Sequence, residues 1–259
     1  MKRQIVEKLT LIKVGGKIVE EEATLKSLLE QFSKIQGNKV LVHGGGRSAT
    51  KVAEKLGIET KMVEGRRITD AEMLKVVTMV YAGLVNKNIV AQLQANGINS
   101  LGLTGADINY MRSDKRKPNP IDYGFVGDVR EVNTEILADL IARGIVPVLS
   151  PITHDGKGNL LNTNADTIAQ EAAVALAKRF DVSLIYCFEK DGVLKDENDD
   201  SSVIPLITKP DFEAYKADGT ISGGMIPKLD NAFTAISKGV KEVVITSANH
   251  ILSGGTKIK

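Results

Sequence analysis

Three glycine-rich turns hold the residues of this sequence best suited to chemistry. They are residues 13–16 (KVGG), residues 43–46 (HGGG) and residues 222–228 (SGGMIPK). Glycine allows a backbone to approach an anion closely, and a helix that follows adds unpaired N–H groups and the positive end of its dipole. Lys13 and Lys228 would add positive charges suited to phosphate oxygens. One glycine pair after a strand is usually only a tight turn, but three such turns, two of them with lysines, predict a site that binds phosphate groups.

A second polar cluster lies where a strand-like run becomes a helix. It contains Asn162, Asn164 and Asp166. A helix cap would explain one of the asparagines, whereas two amides and a carboxylate together could hold a substrate carboxylate and orient ammonium groups. Arg66 and Arg67 follow a glycine in a loop-like stretch, and one of them could clamp a carboxylate with two hydrogen bonds. The other is expected to be a solvated surface arginine.

Two other functions use a turn like the one at residues 43–46. The pattern Gly44-x-Gly46-x-x-Ala49, with Glu64 further on, fits a loose dinucleotide-binding fingerprint. That interpretation leaves the other glycine turns and both lysines unexplained. HGGG also occurs at oxyanion holes of α/β-hydrolases, but the sequence has no G-x-S-x-G nucleophile motif. It also lacks the phosphate-loop and protein-kinase motifs, so phosphate binding here would need another architecture.

The elements that must position these residues alternate between short apolar runs and longer helical patterns, which is typical of a mainly parallel sheet. Strands are predicted at residues 9–14, 39–43, 98–103, 145–149, 182–188 and 242–246. Helices are predicted at residues 21–35, 46–56, 70–96, 134–143, 165–178 and 228–238. A small hairpin is expected at residues 61–69 and antiparallel hairpins at 105–132, with residues 115–117 as a solvated tip. The fold class is therefore α/β, with a possible division near residue 175 into two lobes of one sheet.

Composition narrows the function classes. The 259 residues are 42% hydrophobic and 25% charged, and 34 Lys+Arg against 32 Asp+Glu leave a net charge of +2. We therefore expect neither a nucleic acid nor an acidic membrane as partner. The single cysteine fits a reducing compartment, no apolar run approaches the roughly 20 residues that cross a bilayer, and no cleavable leader is evident. The sequence predicts the cytoplasm. Zinc is not predicted because the histidines, His43, His154 and His250, lack metal-ligand spacing.

The order of the motifs resembles the amino-acid kinase family. KVGG, VHGGG, EGRRIT, NTNAD and GGMIPK follow one another within residues 9–258, so the resemblance covers nearly the whole chain. Asn86-Lys87, GFVGDV at residues 124–129 and LNTNAD at 161–166 are similar to members that phosphorylate N-acylated glutamate. The resemblance implies a three-layer αβα sandwich around a mainly parallel open sheet. It also implies a single domain over residues 1–259, with an acylglutamate-binding N-lobe of about 1–175 and an ATP-binding C-lobe of about 176–259.

The resemblance also implies roles for particular residues. Lys13 and Lys228 would hold the transferring phosphoryl group, and Asp166 would orient both lysines. The glutamate skeleton would be bound by Gly44, Gly45, Arg67, Asn162 and Asn164. The nucleotide would be bound by Gly15, Gly16, Glu189, Gly192, Gly223, Gly224 and Lys228. The N–H groups of Gly15, Gly16, Gly44 and Gly45 are expected to face the phosphoryl group or the carboxylate. Glu189 stands where the family usually has a Thr-Asp pair, which leaves the nucleotide contacts of that stretch open.

The implied reaction is the transfer of a phosphoryl group from ATP to the side-chain carboxylate of N-acetyl-L-glutamate, in arginine biosynthesis. A glutamate carboxylate ordinarily has a pKa of about 4.3, so it is already ionised at neutral pH and needs no general base. Mg²⁺ would be held mainly by the ATP phosphates, with no metal ligands from the protein. Alternative functions are a kinase of N-succinylglutamate or another small acid, and a non-catalytic nucleotide-binding relative.

Two further expectations concern assembly and the acyl group. A homodimer is implied, with residues 70–96 as its candidate surface, and its apolar stripe of Leu74, Val77, Val80 and Leu84 would serve the protein's own core equally well. The short segment before the first strand leaves no room for the N-terminal helix that links hexameric, arginine-inhibited relatives. The acyl pocket is expected near residues 123–129, with acetyl modestly favoured. A succinyl chain would need a cation from residues 112–117, if that turn folds over the pocket.

Overall fold

Strands and helices alternate through residues 7–259, which are the residues that the computed structural model describes. The strands are β1 (Lys8–Val14), β2 (Asn38–His43), β3 (Met62–Val63), β4 (Arg66–Arg67), β5 (Ser100–Leu103), β6 (Met111–Lys115), β7 (Gly127–Val132), β8 (Val146–Leu149), β9 (Ile152–His154), β10 (Leu160–Asn162), β11 (Asp181–Phe188), β12 (Leu206–Ile207), β13 (Glu242–Ser247) and β14 (Thr256–Ile258). The helices are α1 (Gly16–Glu20), α2 (Glu22–Lys34), α3 (Gly46–Lys55), α4 (Ala71–Val77), α5 (Asn86–Ala95), α6 (Thr134–Ala142), α7 (Ala165–Leu176), α8 (Lys209–Ala217) and α9 (Met225–Ser237). The expectations about a leader and a linking N-terminal helix fall mainly on residues 1–6 and lie outside the described residues.

An eight-stranded sheet in the order β12-β14-β13-β11-β1-β2-β8-β5 forms the centre of the fold. All of its neighbours pair in parallel except β13 and β14. Strand β1 shows why both faces are covered, because Leu9 and Leu11 belong to one core cluster whereas Ile12 and Val14 belong to the other. Alternate side chains of a strand point to opposite faces, so helices must pack on both sides. The predicted α/β sandwich is confirmed.

The hairpins beside the main sheet also follow the sequence. Strands β10-β9-β6-β7 form a second sheet in which β6 and β7 are antiparallel. Strands β3 and β4 form the small antiparallel hairpin expected at residues 61–69. The second sheet and the small hairpin both contribute residues to a cleft at the ends of β1 and β2.

The helical segment Ala71–Ala95 consists of α4, a π-helical stretch (Thr78–Val85) and α5. Asp70 caps it by accepting a hydrogen bond from the Met73 N–H, as its sequence position predicts. Over its 25 residues it is long and apolar enough to cross a membrane by length and composition alone, although no uninterrupted apolar run of that length was expected. Its side chains Val77, Val80 and Ile89 lie in the core cluster that also holds Ile12 and Val14, and this core accounts for its apolar character.

Several short elements were not predicted. They are α1, α8, β9, β12 and β14, and helix α9 begins at Met225 rather than at residue 228. Helix α8 carries a clear local signal, because Thr208 and Asp211 form a reciprocal capping box. The short strands carry no such signal, since two or three residues are ordered by their partners in the sheet rather than by their own pattern.

Candidate functional site

A cleft of about 430 Å³ opens where β1 and β2 end and the first two glycine turns begin. Its volume lies in the range of small-molecule sites. Six cationic and three acidic side chains line it, namely Lys13, Lys17, Arg47, Arg66, Arg67, Arg116, Asp128, Asp166 and Glu189. The surplus of positive charge suits a strongly anionic ligand.

Lys13, Asp166 and Lys228 meet on one face of the sheet. Lys13 follows Leu9 and Leu11 on the same face of β1, where α7 and α9 pack. Its Nζ lies 2.7 Å from Oδ1 of Asp166, in the first turn of α7. The ammonium groups of Lys13 and Lys228 lie 5.2 and 4.0 Å from the centre of the Phe188 ring. The structure thus brings together the three predicted catalytic residues, which are far apart in sequence.

Burial lowers the pKa of Lys228 below its ordinary value. The charge of Asp166 opposes that shift, whereas the positive charge of Lys13 adds to it. The contact between Lys13 and Asp166 is close but is not aligned as a hydrogen bond, and Oδ1 of Asp166 has no hydrogen-bond partner within residues 7–259. The carboxylates of Asp166 and Glu189 therefore offset part of the positive charge of two neighbouring ammonium groups.

The first two glycine turns lie side by side in the lining of the cleft. An ideal Cβ on Gly16 would lie 3.8 Å from the amide nitrogens of Gly45 and Gly46. A Cβ on Gly45 would lie 2.8 Å from Cδ1 of Tyr81, a side chain of the π-helical stretch, which leaves room there only for glycine. The tight turn therefore depends on this close approach between backbone and aromatic ring.

Only part of the expected N–H donor set is available. The N–H of Gly15 donates to the Cys187 carbonyl and that of Gly44 to the Val14 carbonyl, both at 3.1 Å. These bonds prolong the pairing of β1 with its neighbours, so the expected donor role of Gly15 and Gly44 is wrong, although both line the cleft. Within the described residues the N–H groups of Gly16 and Gly45 have no backbone acceptor, and they remain the candidate anion donors.

His43 is hydrogen-bonded to the backbone of the second glycine turn, residues 43–46. It is fully buried, with Nδ1 2.8 Å from the Gly44 carbonyl oxygen and Nε2 3.0 Å from Nδ2 of Asn86. Burial lowers the pKa of His43 to about 4. A neutral ring that donates to Gly44 and accepts from Asn86 satisfies both contacts. Sequence reasoning had found only that His43 is not a metal ligand.

Arg67 is the buried arginine of the predicted pair, and Arg66 is exposed. Its Nη2 donates to the Gly46 carbonyl oxygen and to Oγ1 of Thr50, both at 2.8 Å. These bonds fix the guanidinium beside the start of α3. Its Nη1 contacts Oγ1 of Thr60 at 3.3 Å and Sδ of Met73 at 3.9 Å. Both terminal nitrogens are thus engaged within the protein, and the guanidinium presents mainly its fixed positive charge to the cleft.

The two asparagines differ in how they are held. Asn164 caps α7 by accepting from the N–H groups of Asp166 and Thr167, at 2.7 and 3.2 Å. The Asn162 amide donates to Oγ1 of Thr69 at 3.0 Å. Both line the cleft beside Asp166. The helix-cap interpretation is therefore correct for Asn164, whose side-chain NH₂ group is not used by the cap.

The other predicted glycines, Gly192, Gly223 and Gly224, do not line the first cleft. Gly192 lines a second cavity of about 240 Å³, together with Ile221, Ser222 and Met225. Its own Cβ would lie 2.6 Å from Oγ1 of Thr256, so packing alone requires glycine there. Gly223 and Gly224 precede α9 and have open space around them. The structure thus places a cavity at the beginning of the helix that carries Lys228.

Glu189 lies at the mouth of the cleft. Its carboxylate contacts Nζ of Lys17 at 3.0 Å and Nη2 of Arg47 at 4.0 Å. Each of these cations follows a glycine turn by one residue, which is the signal that sequence reasoning missed. Arg116 was expected either in a solvated hairpin tip or over the acyl pocket, and the structure places it in the lining of the cleft.

An αβα sandwich in which glycine turns, helix starts and lysines meet at one edge of a parallel sheet is built to bind phosphate groups. The profile of the amino acid kinase family matches residues 8–247. The chain belongs to the amino acid kinase family, as its motifs indicate.

Full-length similar proteins share one name, acetylglutamate kinase. The chain is 70% identical to an acetylglutamate kinase of Bacteroides thetaiotaomicron over 98% of this chain and 99% of that protein. It is 68% identical to an acetylglutamate kinase of Bacteroides fragilis over the full length of both. Among solved structures, smu.665 from Streptococcus mutans is 28% identical, with a TM-score of 0.77 over 97% of this chain and 98% of that one.

Proposed function

We propose that this chain transfers the γ-phosphoryl group of ATP to the side-chain carboxylate of N-acetyl-L-glutamate, as a step of arginine biosynthesis. The observation that carries the proposal is the cluster of Lys13, Asp166 and Lys228, in which Lys13 and Asp166 line the first cleft. Full-length relatives at 68–70% identity that are named acetylglutamate kinase support the choice of acceptor. A bacterial biosynthetic kinase of this kind belongs in the cytoplasm.

The geometry suits this reaction because both reactants are anionic. Phosphoryl transfer depends mainly on positioning and on positive charge around the transferring group. Lys13 and Lys228 supply that charge, while the N–H groups of Gly16 and Gly45 can bind oxygens of the phosphoryl group or of the carboxylate. Arg67 would bind the α-carboxylate of the glutamate skeleton. No general base is needed, since the reacting carboxylate is ionised at neutral pH.

We place the nucleotide in the second cavity and the acylglutamate in the first. The second cavity is lined only by residues of the proposed C-lobe, whereas the first is lined by residues of the proposed N-lobe together with Phe188 and Glu189. The three acidic side chains of the first cleft, Asp128, Asp166 and Glu189, are each engaged by a cation. We therefore propose that oxygens of the ATP phosphates hold Mg²⁺, which prefers such oxygen ligands.

We also propose a homodimer formed through the exposed face of the segment Ala71–Ala95. Val77 and Val80, two residues of the expected stripe, are buried in the protein's own core. Met79 and Leu84 are 55% and 54% exposed. Large apolar side chains on a solvent-facing helix are suited to a contact with a second copy.

An assay of acyl phosphate formation tests the proposed function. Purified protein is incubated with ATP, Mg²⁺ and N-acetyl-L-glutamate, and the product is trapped with hydroxylamine as the hydroxamate while ADP release is followed. Lys13→Ala should abolish most of the signal, whereas Lys8→Ala, at the exposed opposite end of β1, should retain it. ATP binding without hydroxamate would indicate a non-catalytic relative. Hydroxamate from a different acid alone would indicate another substrate.

A further inference from the structure

The cationic segment at residues 112–117, which comprises most of β6 and the two residues after it, contributes one side chain to the cleft. Arg112 pairs with a glutamate of β7, and Lys115 lies over an aromatic ring. Lys117 is exposed. Of these cations only Arg116 lines the cleft, beside Val126 and Gly127. These residues belong to the stretch in which the acyl pocket is expected, so Arg116 lies where the acyl group would end.

The guanidinium of Arg116 is fixed by Asp128, but only part of its hydrogen-bond donors have a partner. Its Nε donates to both carboxylate oxygens of Asp128, at 3.1 and 3.2 Å, and its Nη2 also contacts that carboxylate. The guanidinium lies over the Tyr123 ring, 5.5 Å from its centre. The side chain is 22% exposed, and its Nη1 is shielded from solvent without a hydrogen-bond partner in residues 7–259. One edge of the guanidinium is therefore fixed by Asp128, and the Nη1 donors remain unused.

The charges of the reactants leave Arg116 without a ligand if the acyl group is acetyl. N-acetylglutamate has two carboxylates, which the proposed function assigns to the glycine turns with Lys13 and to Arg67. An acetyl methyl group would leave the shielded donors of Nη1 unpaired, which is unfavourable. A carboxylate is the preferred partner of a guanidinium, and it can accept two parallel hydrogen bonds.

We propose that Arg116 binds a carboxylate at the far end of the substrate's acyl chain, so that N-acylglutamates with a dicarboxylic acyl group, such as succinyl, are substrates of this enzyme besides N-acetylglutamate. This inference rests on the proposed function. The methylene groups of such a chain would pass along Val126, and its charge would meet Nη1 on the side of the guanidinium away from Asp128.

The test compares three acceptors in the hydroxamate assay. N-succinyl-L-glutamate should have a kcat/KM at least equal to that of N-acetyl-L-glutamate. The analogue whose acyl chain ends in a neutral amide should fall about tenfold or more below succinyl, since it cannot pair with a charge. Arg116→Met, which keeps an unbranched stem over Tyr123, should lower the succinyl-to-acetyl ratio of kcat/KM by about 30–100-fold. Lys117→Met removes a charge from the same segment and should leave the ratio unchanged.

Several outcomes would overturn the assignment of Arg116. These are a succinyl-to-acetyl ratio below one in the wild type, equal use of the neutral amide, or the same fall of the ratio in Lys117→Met. Because the ratio compares substrates on one protein sample, partial unfolding of a variant does not change it. Turnover of the acetyl substrate alone refutes this inference and leaves the proposed function standing. Absence of product with every acylglutamate refutes both.

Discussion

Asp166→Asn is the substitution that examines the candidate site most directly. The carboxylate of Asp166 lies 2.7 Å from Nζ of Lys13 and opposes the desolvation that lowers the pKa of Lys228. The amide of asparagine keeps the shape of the side chain and removes only the charge. The Asn164 cap of α7 accepts from backbone N–H groups and is retained. The variant should therefore fold normally, lose the contact that orients Lys13, and have a pKa of Lys228 that is lowered further.

The size of the loss follows from the geometry. Two unit charges 2.7 Å apart interact by about 6 kcal/mol at an effective dielectric constant of about 20. The Lys13 side chain is 8% exposed but that of Asp166 is 36% exposed, so solvent screening reduces the net contribution to roughly 2–3 kcal/mol. At about 1.4 kcal/mol per factor of ten, kcat should fall by about 10²-fold.

The pH dependence separates lost charge from lost fold. Lys228 acts as an ammonium group, so activity falls as pH rises through its lowered pKa. Without the negative charge of Asp166 that pKa moves further down, and the alkaline limb of the kcat profile should shift to lower pH. Asp139→Asn, on the exposed surface of α6, is the matched control and should leave the profile unchanged. An Asp166→Asn enzyme with kcat within fivefold of wild type, or with an unshifted alkaline limb, would refute this reasoning.

The remaining predictions concern the lysines, one turn and the assembly. Lys13→Ala and Lys228→Ala should each lower kcat by about 10²–10³-fold in the ADP-release assay while circular dichroism is unchanged, and near-normal turnover of either variant would exclude its assigned role. Gly124 has φ +73°, and a Cβ there would overlap a backbone carbonyl oxygen, so Gly124→Ala should lower the free energy of unfolding by about 1–3 kcal/mol in urea titrations. An unchanged denaturation midpoint would contradict this. Light scattering should give twice the mass of the chain, and replacing Met79 and Leu84 together by aspartate should give the monomer, whereas a hexamer would refute the dimer.

Local patterns determined much of what the sequence could predict about the fold. The buried strand β1 and the cap at Asp70 are read from neighbouring residues, and both are confirmed. Helix α8 was missed although Thr208 and Asp211 carried its signal. Strands β12 and β14 could not be found in this way, because they are two or three residues long and are ordered by partners distant in sequence.

The sequence predicted which residue types form the site. It could not predict which backbone N–H groups remain available to bind a ligand. Whether a glycine N–H is available depends on strand register, and the N–H of Gly15 is used because Cys187 continues the pairing of β1 with β11. The same holds for the cationic segment. In sequence Lys115, Arg116 and Lys117 are three equivalent charges. The register of β6 against β7, which places Lys115 opposite Gly127, leaves Arg116 as the one of these three that lines the cleft.

The arrangement of charge around Lys13, Asp166 and Lys228 favours the binding of an anionic ligand more than it favours the stability of the ligand-free protein. Two ammonium groups lie beside the first turns of α7 and α9, whose dipoles add positive potential, and Asp166 pairs directly with Lys13. The lowered pKa of Lys228 shows that its charge is held at a cost in free energy. Anionic phosphate groups relieve that cost. The charges that would promote phosphoryl transfer therefore also link ATP binding to the stability of the folded state.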